Sequence, residues 1–290
     1  MRTRGRSSDR AVEQAHVAVS AAALRSLFAT PIARAHDMRT VAVGGALALL
    51  TRVQELDFNR VIGLGMAGEA TDATLDELDR LYGPRHLPYT VQLHPTARPA
   101  DLPDRLTKRG FETVRPWTIL TRPPDAVPEG PRRGGDAPLR VARATEADAD
   151  EVARILGQSF GVDVGERALF GATVGVEGWR HYLAYLADEV VGAAVLHVAG
   201  RSCLFGGSGT LANHRRRGAQ RALVDRRVRD ALEAGCTELF LETQEDLGGE
   251  PPPPLRTLVR AGFRPAFQLR SFGYRRGVRQ RWDPATRDWH

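Results

Sequence analysis

The sequence predicts a mixed α/β fold with α+β character, in which two mixed-sheet domains of one architecture follow each other along the chain. Three observations carry this reading. Residues 121–138, TRPPDAVPEGPRRGGDAP, hold almost nothing apolar and divide the 290 residues into halves of similar size. The block LTKRGFETVRPWTIL (106–120) is echoed by LVRAGFRPAFQLRSF (258–272). Hydrophobic periodicity in the second half alternates between strand and helix in the order β-α-α-β-β-β-α-β-α-β, a layered arrangement.

The second half reads element by element. LRVARA (139–144) alternates as a strand, and Thr145 caps a helix running to about Phe160, with Asp148 and Asp150 in its early turns, where the helix dipole favours acids. A short helix follows over Glu166–Thr173. Residues 181–190 and 190–198 form two strands turned at Asp188-Glu189. SCLFGGSGTL (202–211) is a strand with a glycine-rich middle, a helix spans Arg217–Ala234 up to Gly235, and ELFLET (238–243) is a buried strand. After the prolines 251–254 come a helix over Leu255–Ala261 and a last strand over Arg264–Tyr274. In both repeat blocks a glycine, Gly110 or Gly262, ends a short helix in a left-handed conformation, and Phe111 or Phe263 then enters the sheet. The first half is less regular. A long helix covers Arg10–Phe28, strands fall at Thr40–Ala48, Asn59–Leu64, Tyr89–Leu93 and Arg115–Leu120, and helices at Ala73–Leu81 and Leu102–Arg109.

Composition narrows the function classes. Apolar residues make up 42% and charged residues 26%, which excludes a collagen, a mucin or a wholly disordered chain. The longest apolar stretch, Val41–Leu50, is interrupted by two glycines and too short to span a bilayer. The basic start followed by Glu13, Gln14, His16 and Arg25 lacks the apolar core of an export signal, so a cytoplasmic location is expected. Cys203 and Cys236 form no disulfide framework and read as buried thiols. With no C-x-x-C and no H-E-x-x-H, no metal is expected. The net charge of +6 comes almost wholly from arginine, Lys108 being the single lysine, and no nucleic-acid partner is expected from it.

The chemistry concentrates in GTLANHRRRGAQRALVDRRVRDALEAG (209–235). A strand ends at Leu211, and Arg215, Arg216, Arg217, Gly218, Ala219 and Gln220 lead into a helix. The first turn of a helix presents unpaired N–H groups and partial positive charge, Gly218 admits an anion close to the backbone, and the arginines add charge. Together these make a site for a pyrophosphate.

These residues resemble the acyl-CoA signature [Q/R]-x-x-G-x-[G/A] of the GNAT superfamily of N-acetyltransferases, with Gln220 a departure at the last position. The resemblance covers residues 139–275 and includes Thr210-Leu211, Ala-Leu-Val in the helix, Ala-Gly-Cys, and Arg-Ala-Gly-Phe. It implies acetyl-CoA as co-substrate, held by Thr210, Leu211, Arg215, Arg216, Arg217, Gly218, Ala219, Gln220, Arg221 and Thr257. The pantetheine arm would lie along the splayed strand ending at Leu211, whose N–H groups would polarise the thioester. A general base must free the attacking amine, and Glu242 is the first candidate, with Asp163 and Glu166 behind it. The tyrosine that relatives use as acid for the thiolate is Leu258 here, and a cofactor-touching Asn is Thr257, so the acid is water or Tyr274. Tyr274 also reads as a packing residue with a wet hydroxyl.

Gly63-Leu64-Gly65-Met66-Ala67-Gly68 matches the dinucleotide pattern G-x-G-x-x-G, but no acid follows at the spacing a ribose needs. Glu69 and Asp72 come after it where the second half has its arginines. The expected organisation is thus a degenerate GNAT-like copy without the acyl-CoA signature (1–122), a linker (123–138), a GNAT acyltransferase domain (139–276) and a basic tail (277–290). The expected reaction moves acetyl from acetyl-CoA to a primary amine of a small molecule. The expected protein is a monomer or homodimer with no membrane partner. Two alternatives stand beside it: a non-catalytic acyl-CoA-binding module, and an NAD-dependent oxidoreductase using Gly63–Gly68.

Overall fold

A computed structural model describes residues 6–52, 58–85, 88–125, 139–162, 164–244, 253–274, 282–283 and 288–289. Most of the expected linker and tail, and Asp163, lie outside them. In chain order the elements begin with helices α1 (Arg6–Phe28) and α2 (Pro31–Ala35), then strands β1 (Arg39–Val43), β2 (Ala46–Leu50) and β3 (Arg60–Ile62). There follow α3 (Asp72–Tyr82), β4 (Tyr89–Leu93), α4 (Leu102–Lys108) and β5 (Glu112–Arg122). The second half holds β6 (Leu139–Arg143), α5 (Ala149–Phe160), α6 (Val164–Gly171), β7 (Trp179–Leu186), β8 (Glu189–Ala199) and β9 (Ser202–Thr210). It continues with α7 (Ala219–Glu233), β10 (Glu238–Gln244), α8 (Pro253–Arg260) and β11 (Arg264–Tyr274), and ends with a short antiparallel pair, β12 (Trp282–Asp283) and β13 (Asp288–Trp289).

The chain divides into two compact units, one made of residues 1–36 and 115–269, the other of 37–114 and 270–290. The sequence reading divides the chain once, at 121–138, whereas each of these units is discontinuous. In the first unit β6, β7, β8 and β9 are antiparallel neighbours, β9 and β10 are parallel, and β10 pairs antiparallel with β5. Alternation along the strands sends Tyr182, Leu196, Phe205, Leu239 and Leu241 into one core with Leu223, Val224 and Val228 of α7 and Leu258 of α8. The opposite face packs Leu183, Ala193 and Val195 against Val152, Ile155 and Leu156 of α5, and Phe240 and Ile119 against Val19 of α1.

In the second unit β1, β2 and β3 are antiparallel neighbours, β3 and β4 are parallel, and β4 pairs antiparallel with residues 270–274 of β11. Leu75, Leu78 and Tyr82 of α3 and Leu102 and Leu106 of α4 cover Val61, Val91, Leu93 and Phe272. The parallel pair followed by an antiparallel partner thus occurs in both units. In each, the last strand comes from the other half of the sequence: β5 beside β10, and β11 beside β4.

The repeat blocks adopt one geometry. Gly110 and Gly262 have φ of 89° and 91°. The amide of Phe111 donates to Leu106 and that of Phe263 to Leu258, each at 3.1 Å. Both phenylalanines are buried. Two local expectations are corrected. The strand expected over Thr40–Ala48 is a hairpin, because Gly44 and Gly45, at φ of 53° and 81°, give the backbone twist that a two-residue turn between strands needs. The turn expected at Asp188-Glu189 lies one residue earlier, with Ala187 at φ 53° and Glu189 already in the strand.

A methyl group at either position meets the strain of a left-handed backbone; at 262 it also lies 3.2 Å from Arg122 Nε, whereas at 110 its nearest neighbour is Tyr274 at 3.4 Å, an ordinary contact. Gly262→Ala is therefore expected to destabilise the protein by about 1–2 kcal/mol, and more than Gly110→Ala. Urea unfolding curves check it, and an unchanged midpoint for Gly262→Ala contradicts the cap geometry.

Candidate functional site

The site begins where two parallel strands part. β9 and β10 are paired from Ser202↔Glu238 to Phe205↔Leu241 and no further, although β9 continues to Thr210 and β10 to Gln244. β10 instead stays with β5 through Gln244↔Trp117. On its other edge β9 carries a bulge: Ala194 faces Ser208 and Leu196 faces Phe205, so Val195 lies opposite both Gly206 and Gly207. A bulge bends the strand that carries the extra residue, which turns β9 away from β10 at the point where their pairing stops. The main-chain groups of Gly206–Thr210 on the β10 side are left to another partner.

One buried side chain fixes this bend. Arg227 of α7, 1% exposed, donates from Nη1 to the carbonyls of Val195 (3.0 Å) and Gly206 (3.3 Å), and its guanidinium lies 4.9 Å from the centre of the Phe205 ring. Burial holds its pKa down at about 10, still charged at neutral pH. The glycines of β9 also admit α5: a Cβ on Gly209 would lie 2.3 Å from the Ser159 side chain, and one on Gly207 would lie 3.4 Å from the exposed ring of Phe160.

The loop after β9 delivers the chain to α7. Leu211 donates its amide to Val191 at 2.9 Å, and a 3-10 turn over Ala212–His214 follows. Arg216 and Gly218 then take φ of 65° and 88°. Gly218 occupies the N-cap position without a side-chain hydrogen bond to the helix. Successive amides in alternating handedness at an uncapped helix start form a concave donor set for an anion. Arg215, Arg216, Arg217 and Gly218 are all exposed there. Of the later arginines, Arg221 is engaged with Asp225 (2.8 Å) and the Arg260 carbonyl (3.1 Å), Arg226 with Asp230 (2.7 Å), Arg227 lies in the interior, and Arg229 is half-buried with an Nε that meets no acceptor. The three exposed arginines of the loop thus give this end of the segment its basic character. Gln220 turns its side-chain oxygen to accept from Ser208 Oγ at 3.2 Å, which ties the first turn of α7 to β9. Thr257 is half-buried on α8, and its neighbour Leu258 is a core residue.

Glu242 is the first residue of β10 beyond the last β9 pair, opposite Ile119 of β5. Its Oε1 lies 3.1 Å from His16 Nε2 and accepts from Ser20 Oγ at 3.1 Å, both on α1. Its side chain is 15% exposed. Tyr274 belongs to the second unit, where its ring packs 5.0 Å from Phe111 and 5.9 Å from Tyr89. The side chain of Glu166 lies outside the described residues. Sequence reasoning missed Arg227, His16 and Ser20. A signal existed for two of them: Arg227 falls at helical spacing with Leu223, Val224 and Ala231, and His16 with Val12 and Val19, each on a buried face.

The second unit has the matching strand, loop and helix, but its donors are taken. Ala70 donates its amide to the Arg98 carbonyl at 2.9 Å, Arg98 donates back to Gly65 at 3.0 Å, and Thr71 caps α3 through the Thr74 amide at 3.2 Å. A Cβ on Gly65 would lie 2.5 Å from the Arg98 carbonyl oxygen. The glycine pattern of residues 63–68 thus accommodates the protein's own backbone. The acids of α3 hold α4: Arg109 lies 2.8 Å from Asp76 and 3.0 Å from Asp79. Among the described residues no group of three or more His, Cys, Asp or Glu side chains is arranged for a metal, and no helix is long and apolar enough to cross a membrane.

Comparison with known proteins agrees with this geometry. Residues 152–248 match the profile of the Acetyltransferase (GNAT) family. No curated protein matches the chain. Among solved structures, a GCN5-related N-acetyltransferase from Kribbella flavida is similar at 20% identity and a TM-score of 0.63, over 90% of this chain and 96% of that one. One from Sphaerobacter thermophilus gives 16% and 0.58, over 93% and 95%. A tandem GNAT protein from the clavulanic acid biosynthesis pathway gives 16% and 0.55, over 82% of each chain. At these identities the likeness is one of fold, and the fold is that of two GNAT-like mixed-sheet domains in tandem.

If Arg227 holds the bend, Arg227→Met leaves the Val195 and Gly206 carbonyls without their donor, at about 1–3 kcal/mol for each buried group. Hydrogen exchange along Ala194–Leu196 and Phe205–Ser208 is then expected to quicken by about tenfold or more. Wild-type exchange rates there would remove Arg227 from this role.

Proposed function

We propose that the protein transfers an acetyl group from acetyl-CoA to a primary amine of a small molecule, a reading supported by the match of residues 152–248 to the profile of the Acetyltransferase (GNAT) family. The observation that carries the reading is the pairing of an uncapped helix start at Gly218 with the parted strands β9 and β10. The two features lie at the ends of one short loop, so a diphosphate on the amides of Ala219–Arg221, flanked by Arg215–Arg217, leaves the pantetheine arm beside Gly206–Thr210. Thr210 and Leu211 shape the end of that edge, and Thr257 borders the cofactor from α8. The donor site lies in the unit of residues 1–36 and 115–269, and the copy is the unit of residues 37–114 and 270–290, where the protein's own backbone takes the corresponding donors. The setting is cytoplasmic.

In this mechanism Glu242 takes a proton from the acceptor ammonium, since nitrogen has no lone pair until it does. The amine attacks the thioester carbonyl, whose developing negative charge faces the amides on the β10 side of β9. The C–N bond forms as the C–S bond breaks, the thiolate gains its proton from water, and the amide nitrogen releases its second proton. Tyr274, the other residue weighed for the acid, packs among Tyr89 and Phe111 of the second unit.

One observation favours a second reading, an acyl-CoA-binding module without turnover. Leu258, where relatives carry a tyrosine acid, is a core residue with no proton to give. Release of thiol from acetyl-CoA in the presence of primary amines separates the two readings.

Gly218→Glu places a carboxylate and a left-handed non-glycine residue at the proposed diphosphate site. It is expected to abolish acetyl-CoA binding in calorimetry while the melting temperature stays within a few degrees, and undiminished affinity would sink the donor-site assignment. Glu242→Gln is expected to lower kcat by about 100-fold or more at neutral pH with acetyl-CoA affinity retained.

A further inference from the structure

We propose that His16 and Ser20 of α1 are positioning residues for the general base, fixing the Glu242 carboxylate at the mouth of the strand splay. The inference rests on the reading of Glu242 as that base. The three side chains close a triangle: His16 Nε2 to Glu242 Oε1 at 3.1 Å, Ser20 Oγ to the same oxygen at 3.1 Å, and Ser20 Oγ to His16 Nε2 at 3.4 Å. His16 and Ser20 are one helical turn apart and only 2% and 3% exposed. An ionised carboxylate can only accept, so the imidazole proton that faces it sits on Nε2. The ring cannot swing away, because Phe240 and Phe267 meet it edge to face at 5.4 and 5.6 Å.

Packing alone does not call for these residues. The neighbours of α1 on this sheet face are Ile119, Phe240, Leu269 and Phe267, against which Val12, Ala15 and Val19 already pack. A buried imidazole and hydroxyl on such a face cost free energy unless bonded, and both bond the carboxylate placed where β9 and β10 part. Two donors on one oxygen favour the charged carboxylate in a half-buried place and hold its rotamer, so that the base is ready without rearrangement.

Among the described residues, the remaining charged groups around the triangle are few. α1 contributes buried Glu13 and, one turn further back, Arg10. β5 contributes Arg115, bonded to Gln244 at 3.4 Å, and β10 itself Glu238, which accepts from Ser202. β9 has no charged residue, and β11 within this unit has only Arg264. In the step itself one N–H bond of the ammonium breaks and one O–H bond forms on Glu242. His16 and Ser20 transfer no proton.

The test uses the full chain with His16→Leu, His16→Gln and Ser20→Ala. Thiol release from acetyl-CoA is followed with a panel of small primary amines across pH, and acetyl-CoA affinity is measured by calorimetry. His16→Leu is expected to lower kcat by about 10–100-fold with acetyl-CoA affinity within about twofold of wild type. Loss of a donor disfavours the charged carboxylate, so the acid limb of kcat/KM is expected to move to higher pH by about one unit. His16→Gln keeps an N–H donor and is expected to recover most of the rate, and Ser20→Ala to show a smaller shift in the same direction. Wild-type kcat and pH profile in His16→Leu, or in Ser20→Ala if the leucine variant does not fold, overturn the inference while leaving acetyl transfer standing. A wild-type protein that binds acetyl-CoA but releases no thiol with any amine overturns the transfer reading, and this inference with it.

Discussion

The parting of β9 from β10 is the constraint on which the donor site depends. Parallel strands at their ordinary spacing satisfy each other and leave nothing for a ligand. Here two separate attachments pull the strands apart. β10 is kept in register with β5 to its end, and β9 is bent by a bulge whose outer carbonyls are taken by Arg227. A guanidinium suits this task because several donors leave one planar group, and its charge remains even when burial disfavours it. The same helix that supplies the clamp from its middle presents its first amides at Gly218, so the two parts of the site share a single rigid support.

The two units show what separates a helix start that can receive an anion from one that cannot. In both, a parallel strand leads through a glycine-containing loop into a helix. At α3 the Thr71 hydroxyl and the Arg98 backbone satisfy the loop and first-turn groups, and the acids of the helix are drawn into pairs with Arg105 and Arg109. At α7 the N-cap is a glycine that makes no side-chain bond, and the flanking side chains are arginines. The difference lies in who satisfies the donors, since the loops have the same kind of backbone freedom.

The base candidate is embedded in a similar way. Glu242 is a strand residue that by alternation falls on the face of Phe240, which α1 covers. Its carboxylate therefore meets the polar side chains of a helix that lies 222 residues or more away in sequence. The N-terminal helix of the chain thus belongs to the unit that carries the donor site, and its contribution is chemical as well as apolar.

Much of this was legible in the sequence. The element order of the second half, the cap geometry of Gly110 and Gly262, and the start of α7 after Arg215–Gly218 follow from local rules: periodicity, glycine at positive φ, and the absence of a capping side chain. The periodicity of α7 and α1 also marked the positions of Arg227 and His16 as inward. What only the tertiary structure decided is which partner each inward face meets. The pairing of β5 with β10 and of β11 with β4, the carbonyls that receive Arg227, and the placing of His16 and Ser20 on Glu242 all join segments distant in sequence. A local pattern fixes the direction in which a side chain points and its need for burial. The identity of the atom waiting there is set by how the whole chain closes, because contacts between remote segments leave no spacing to read.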